Sequence, residues 1–294
     1  MGATLNIPAE KERALYDIVD RLRKVPNLVA VVLGGSYALG FARSESDIDI
    51  GLYYRQASPF SVEHLRSIAD SICIPGSMPT ITDFYGWGRW VNGGAWIQTP
   101  GGKVDFIYRN LDQVEAVIEE ARRGVWHHDF DQQPPYGFRS VVYLGETRIC
   151  VPLHDPRGEI TRLKQSVAIY PETLSERIVQ DSLWGAEFSL KMCDRFADVA
   201  DVYNATGCMT RIAHFLVHAL FALNKEYFVS DKYVNRLIDG FPLRPHDFMS
   251  SLASVLASPG ADSAGLKKSA ERLTRLWLET LDLTTGRYSP RFRL

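Results

Sequence analysis

Apolar positions in the first half of the chain switch repeatedly between helical and strand spacing. In "IPAEKERALYDIVDRLRKV", Leu15, Ile18, Val19 and Leu22 fall on one helical face, and Pro8 suits a first turn, so a helix is predicted there. The short β-branched run "NLVAVVL", ending in glycines, reads as a buried strand. "DIDIGLYY" is a second strand and "SVEHLRSIADSI" a helix. Asn92-Gly93, set between tryptophans in "GRWVNGGAWIQ", signals a hairpin turn. "GGKVDFIYR" supplies a further strand. Asn110 then caps "LDQVEAVIEEARRG", whose Leu111, Val114, Val117 and Ile118 share a face and whose stop is Gly124.

Beyond about residue 155 the texture becomes helical throughout. The patterns are "ETLSERIVQDSLWGAEFSLKMCDRFADVADVYN", "MTRIAHFLVHALFALNKEYF", "SDKYVNRLIDG" and a last one near "AERLTRLWLETLDL". The expectation is an α+β chain: residues 1–155 form a mixed sheet flanked by helices, and residues 156–294 an all-α bundle. Pro156-Arg157-Gly158 marks the seam, and a cleft is expected between the two.

Composition narrows the function classes. Hydrophobic residues make up 46% of the chain and charged residues 23%, the balance of an ordinary globular protein. A net charge of -2 argues against a broad phosphate-gripping surface, so nucleic acid is not an expected partner. The start carries no signal-peptide core and no run of about 18 apolar residues stands out, so a cytoplasmic protein without a membrane span is expected. The four cysteines, Cys73, Cys150, Cys193 and Cys208, form no C-x-x-C pair, and reduced thiols are expected rather than a metal knuckle.

The chemistry gathers in "VVLGGSYALGFARSESDIDIGLYY". Strand side chains alternate faces, so Asp47 and Asp49 point one way while Ile48 and Ile50 pack behind them. Two close carboxylates repel unless a cation sits between them, and short, hard oxygen ligands suit Mg²⁺ or Mn²⁺ bound together with substrate phosphates. Gly34, Gly35 and Ser36 can offer backbone N–H groups and a hydroxyl to those phosphates. Asp105, between Val104 and Phe106 in "KVDFIY", is a third acid in strand context, expensive to leave unpaired.

"GGSYALGFARSESDID", with Asp105 on a later strand, resembles the signature of the DNA polymerase beta-like nucleotidyltransferase superfamily. An α/β half followed by a helical half is similar to its stand-alone bacterial members, including the aminoglycoside and lincosamide nucleotidyltransferases. "GWGRWVNGGAWI", "GGKVDFIYR", "QPPYGF" and "LFALNKEYFVSDK" further resemble an actinobacterial-type group of nucleotidyltransferase-domain proteins, a likeness that implies no particular substrate. The resemblance implies an N-terminal nucleotidyltransferase fold and two Mg²⁺ or Mn²⁺ ions held by Asp47, Asp49 and Asp105. It also implies transfer of a nucleoside monophosphate from an NTP, ATP being expected, to a hydroxyl of a small-molecule acceptor, with pyrophosphate leaving. Asp105 would complete a second metal site or take the acceptor's proton. Within this class a toxin-like tRNA- or protein-modifying enzyme is the alternative; outside it, a non-catalytic nucleotide-binding sensor or partner protein.

Other residues have lesser claims. Lys225 and Lys232 in "ALNKEYFVSDKYV" are cations for the leaving pyrophosphate, and the resemblance favours Lys232; each also reads as a solvated helix lysine. Glu146 in "LGETRI" is a candidate for deprotonating an acceptor, though a surface glutamate is the commoner case. Trp90 and Trp96, with Trp87, are candidate acceptor-pocket walls against the plainer reading of cross-strand packing. His214 and His218 stand four apart in an apolar stretch without H-E-x-x-H, which favours helix packing over zinc. The tail with Arg287, Arg291 and Arg293 is expected to be a mobile basic end.

Overall fold

The computed structural model describes residues 7–293, which divide into two compact units: 7–119 with 128–169, and 120–127 with 170–293. The first unit carries α1 (Ala9–Leu22), β1 (Ala30–Leu33), a short α2 (Gly35–Leu39), β2 (Ile48–Tyr54), α3 (Val62–Ile72), β3 (Thr80–Ile81), β4 (Gly94–Thr99) and β5 (Gly102–Asn110). Then follow α4 (Leu111–Arg122), which ends in the second unit, the two-residue strands β6 (His128–Asp129) and β7 (Phe138–Arg139), α5 (Val141–Ile149), β8 (Val151–His154) and α6 (Glu159–Ser166). Pro156-Arg157-Gly158 is a turn inside this unit, between β8 and α6.

The main sheet has the order β3-β4-β5-β2-β1-β8. Neighbours are antiparallel except β2 and β5, which run parallel with Asp49 opposite Asp105. Alternation decides the faces. Ile48, Ile50 and Leu52 of β2 and Val104, Phe106 and Tyr108 of β5 enter the core with Leu15 and Ile18 of α1 and Leu65 of α3. Edge-on and tilted contacts among Tyr54, Phe60, Phe84 and Tyr108 close that core at one end. The opposite face carries Asp49, Asp105 and Arg109 beside the buried Val32 and Tyr53.

The hairpin falls elsewhere than expected. Thr99 pairs with Gly102, so the tight turn is Pro100-Gly101. Asn92 and Gly93 do take positive φ, 66° and 158°, but in the loop that enters β4. There the fully buried Asn92 accepts from the backbone N–H of Asn110 at 3.0 Å and donates to the Arg89 carbonyl at 3.0 Å. Only Asn92 is in the left-handed region, and the dipeptide pins a loop instead of turning the expected hairpin. Asn110 caps α4 as expected, accepting from Asp112 N–H at 3.0 Å.

The second unit is helical: α7 (Glu172–Asp198), α8 (Val202–Leu223), a 3₁₀ turn at Asp231–Tyr233, α9 (Val234–Asp239), α10 (Phe248–Ala257) and α11 (Ser263–Leu283). The first long helical pattern breaks at Val199–Asp201. Ala200 takes φ 55°, and the Asp201 side chain caps α8 by accepting from Asn204 N–H at 3.1 Å. Among the described residues α8 alone is long and apolar enough to cross a membrane, and 67% of its apolar window is buried inside the protein, the pattern of a central core helix. His214 and His218 lie buried on α8 with ring centroids 4.5 Å apart, and Phe228 and Trp126 pack on His218.

The tail corrects the expectation of a mobile end. Glu187 of α7, fully buried, accepts from the Tyr288 hydroxyl, from Arg291 N–H at 2.7 Å and from Phe292 N–H. The Arg291 guanidinium lies over Trp184, 4.6 Å from the ring centroid.

Candidate active site

The glycine loop after β1 is fastened to β2. Gly34 N–H donates to the Asp49 carbonyl at 2.9 Å. Gly35 has φ +57°, and a Cβ added there would stand 1.7 Å from Asp49 Oδ2, so the Asp49 carboxylate rests in space that glycine alone leaves open. Ser36 is buried in α2 directly after it. The turn leading to Asp47 is fixed from below. Lys11 of α1 donates to the Ser46 carbonyl at 2.7 Å, and Arg43 N–H donates to Ser46 Oγ at 2.9 Å.

Register places the acids. Asp49, Asp105 and Trp96 form one cross-strand row over β2, β5 and β4, on the face turned away from the core. Asp47 stands just before β2, and its position relative to Asp49 follows the two-residue period. Lys103, two residues before Asp105 on β5, joins the same face. Its Nζ donates to Asp47 Oδ2 and to Asp105 Oδ2, each at 3.0 Å. Burial works against the charge on this ammonium, but the hydrogen bonds and negative charge of Asp105 and Asp47 outweigh it and hold its pKa above the ordinary lysine value. The sequence reasoning missed Lys103. Its signal was the K-x-D spacing of "KVD", which puts lysine and aspartate on one side of a strand.

Among the described residues no group of three His, Cys, Asp or Glu side chains is arranged as a ready metal-ligand set. The local reason is visible: an ammonium already spans Asp47 and Asp105, and Asp49 lies against Gly35. The donor chemistry still fits a hard divalent cation. Carboxylate oxygens on one face are its preferred ligands, and a positive group already sits between two of them.

The tryptophans separate. Trp96 is 50% exposed, and its ring stacks on Trp87 at 4.9 Å and 29°. A Cβ on Gly94 would come within 2.7 Å of the Trp87 ring, so glycine there lets Trp87 lie on the sheet. Trp90 is buried and stacked on Phe138 at 5.5 Å, away from solvent. Glu146 of α5 receives both Nε and Nη2 of Arg109, at 2.7 and 2.6 Å. Burial disfavours the Arg109 charge, but Glu146 more than restores it and pushes the pKa up.

Lys225 and Lys232 lie in the second unit. Lys225 is paired with Glu172, and Lys232 is exposed in the 3₁₀ turn.

Residues 13–120 match the family described as a nucleotidyltransferase domain, and residues 146–234 match a domain of unknown function. No curated protein matches the chain. Among solved structures, a nucleotidyltransferase-like protein from Exiguobacterium sibiricum 255-15 aligns over 95% of this chain and 78% of its own, at 8% identity and a TM-score of 0.44, a likeness too distant to carry function. The matched residues 13–120 run from α1 to α4 and include Asp47, Asp49 and Asp105, so the segment that carries the three acids is the one similar to nucleotidyltransferase domains.

Proposed function

We propose that the protein transfers a nucleoside monophosphate from an NTP, ATP being the expected donor, to a hydroxyl of a small-molecule acceptor, with release of pyrophosphate. The observation that carries this reading is the pairing of Asp49 with Asp105 on parallel neighbouring strands, with Gly35 against the Asp49 carboxylate. A divalent cation, Mg²⁺ or Mn²⁺, bound by Asp47, Asp49 and Asp105 would neutralise the phosphate oxygens on which charge develops.

The chain's own groups have separate tasks. Gly34, Gly35 and Ser36 seat the triphosphate, the glycines allowing close approach of the backbone. Asp105 is favoured over Glu146 for taking the acceptor's proton, because both Glu146 oxygens already accept from Arg109. Trp96 offers an exposed flat surface in the same cross-strand row as Asp105 and suits one wall of an acceptor site; buried Trp90, packed on Phe138, is core instead. Lys232 is the first candidate for the leaving pyrophosphate, and Lys225 the second because Glu172 holds it. The cytoplasm is the proposed compartment, since NTP is abundant there and all four cysteines are unpaired thiols.

The test is incubation with Mg²⁺, each α-labelled NTP in turn, and acceptors including aminoglycosides, lincosamides, tRNA and protein. The expected result is pyrophosphate release that depends on one small-molecule acceptor and falls by at least about a hundredfold in Asp49→Asn. Wild-type turnover by a folded Asp49→Asn protein overturns the assignment, as does release driven by tRNA or protein alone.

A further inference from the structure

Lys103 is a built-in cation at the carboxylates, contacting the outer two of the three acids. Its Nζ lies 3.0 Å from Asp47 Oδ2, 3.0 Å from Asp105 Oδ2 and 5.9 Å from the centroid of the Trp96 ring. The ammonium therefore occupies the Oδ2 atoms of two acids that a divalent cation held by Asp47 and Asp105 would draw on, and the two positive groups compete for them.

We propose that Lys103 holds the divalent cation's seat in the nucleotide-free protein, and that it moves onto the triphosphate when metal and nucleotide enter together. This rests on the nucleotidyltransferase reading above.

Three observations favour this over a permanent salt bridge. The Lys103 side chain keeps a third of its surface in water, so its long stem can swing. Trp96 gives the displaced ammonium an aromatic face to pass over. Without a cation, Asp47, Asp49 and Asp105 would repel one another on one side of the sheet, so the lysine relieves a strain that metal alone would otherwise have to relieve. The consequence is coupling. Metal alone must displace a charge-assisted pair, whereas metal with nucleotide supplies phosphate oxygens that receive the lysine. The bare protein then binds metal weakly, and the triphosphate promotes loading.

The test uses Mn²⁺ and adenosine 5′-(α,β-methylene)triphosphate, with binding followed by electron paramagnetic resonance and calorimetry on the full chain. If the lysine-out state is about a tenth of the population, Lys103→Met tightens Mn²⁺ about tenfold without nucleotide. The nucleotide analogue, whose phosphate oxygens also ligate the metal, should strengthen Mn²⁺ binding in every form, but by a smaller factor in Lys103→Met than in wild type and Lys103→Arg. Thermal melting confirms that each variant is folded. Mn²⁺ affinity in folded Lys103→Met equal to or below wild type overturns the seat-holding role. An undiminished nucleotide effect in that variant overturns the transfer to phosphate. Asp49→Asn and Asp105→Asn separate the two levels: if these leave Mn²⁺ binding unchanged, the metal site itself falls. If they weaken it while Lys103→Met changes nothing, only the role of Lys103 falls.

Discussion

Gly35 and Asp49 share one space: Oδ2 of the aspartate lies 1.7 Å from where a Cβ on the glycine would be, and Gly35 also takes φ +57°. Gly35→Ala forces the carboxylate aside and places a Cβ in the left-handed region, costing about 1–2 kcal/mol of stability. Displacing the acid by an ångström or so should lower nucleotidyl transfer by about a hundredfold. Chemical denaturation together with a pyrophosphate assay reads both effects.

Arg109 and Glu146 form a pair of a different kind. The guanidinium is buried and satisfied by Glu146 and by the carbonyls of Val91 and Tyr108, both at 3.0 Å. Arg109→Ala strips the partner from Glu146 and leaves those carbonyls short of a donor. A loss of about 3–5 kcal/mol is expected by denaturation. Glu146→Gln, which keeps an acceptor for Arg109, should cost clearly less.

An ionic network near α4 sets an acid limit. Arg55 donates to Asp112 at 2.7 Å and to Glu115 at 2.6 Å, and Arg162 also donates to Glu115. The Arg55 hydrogen bond holds Glu115 below its ordinary 4.5 despite burial. For Asp112 burial pushes up, but Arg55 and the Gln56 N–H win, and the carboxyl lies below its ordinary 3.8. A lowered folded pKa means stability that is complete above the unfolded value and lost as the pH falls through the folded one. Arg55→Leu should be less stable than wild type by about 1 kcal/mol near neutrality, solvent screening at Asp112 keeping the figure small. The gap should close as the pH drops below 3.8. Melting temperatures across that range decide it.

Glu187→Ala removes the acceptor of Tyr288, Arg291 and Phe292 together. A cost of about 1–3 kcal/mol is expected. Trypsin should cut after Arg287 and Arg291 much faster than in wild type, as mass spectrometry of a timed digest would report.

Much of the site was legible because its signals are local. The period of two puts Asp47 and Asp49 on one side, and the glycines before them announce a tight backbone. The same rule would have exposed Lys103. Other features depend on distant partners. Trp90 and Trp96 look alike in sequence, yet one is covered by Phe138 and the other is half in water, a difference set by β7, more than forty residues on. Glu146 reads as a surface acid until Arg109 is known to face it. The mobile-tail expectation failed because a buried glutamate a hundred residues earlier holds the end. Asn92-Gly93 signalled a hairpin that the strand pairing, which is non-local, puts at Pro100-Gly101 instead.

The parallel pairing of β2 with β5 has a bearing on biogenesis. A ribosome must deliver α3, β3 and β4 before Asp105 emerges to lie beside Asp49, so nascent chains lacking β5 possess the glycine loop and only two of the three acids. Joining strands so far apart is slow compared with forming helices. The row that joins Asp49 to Asp105 is therefore assembled only after β5 has been made, later than the local helices around it.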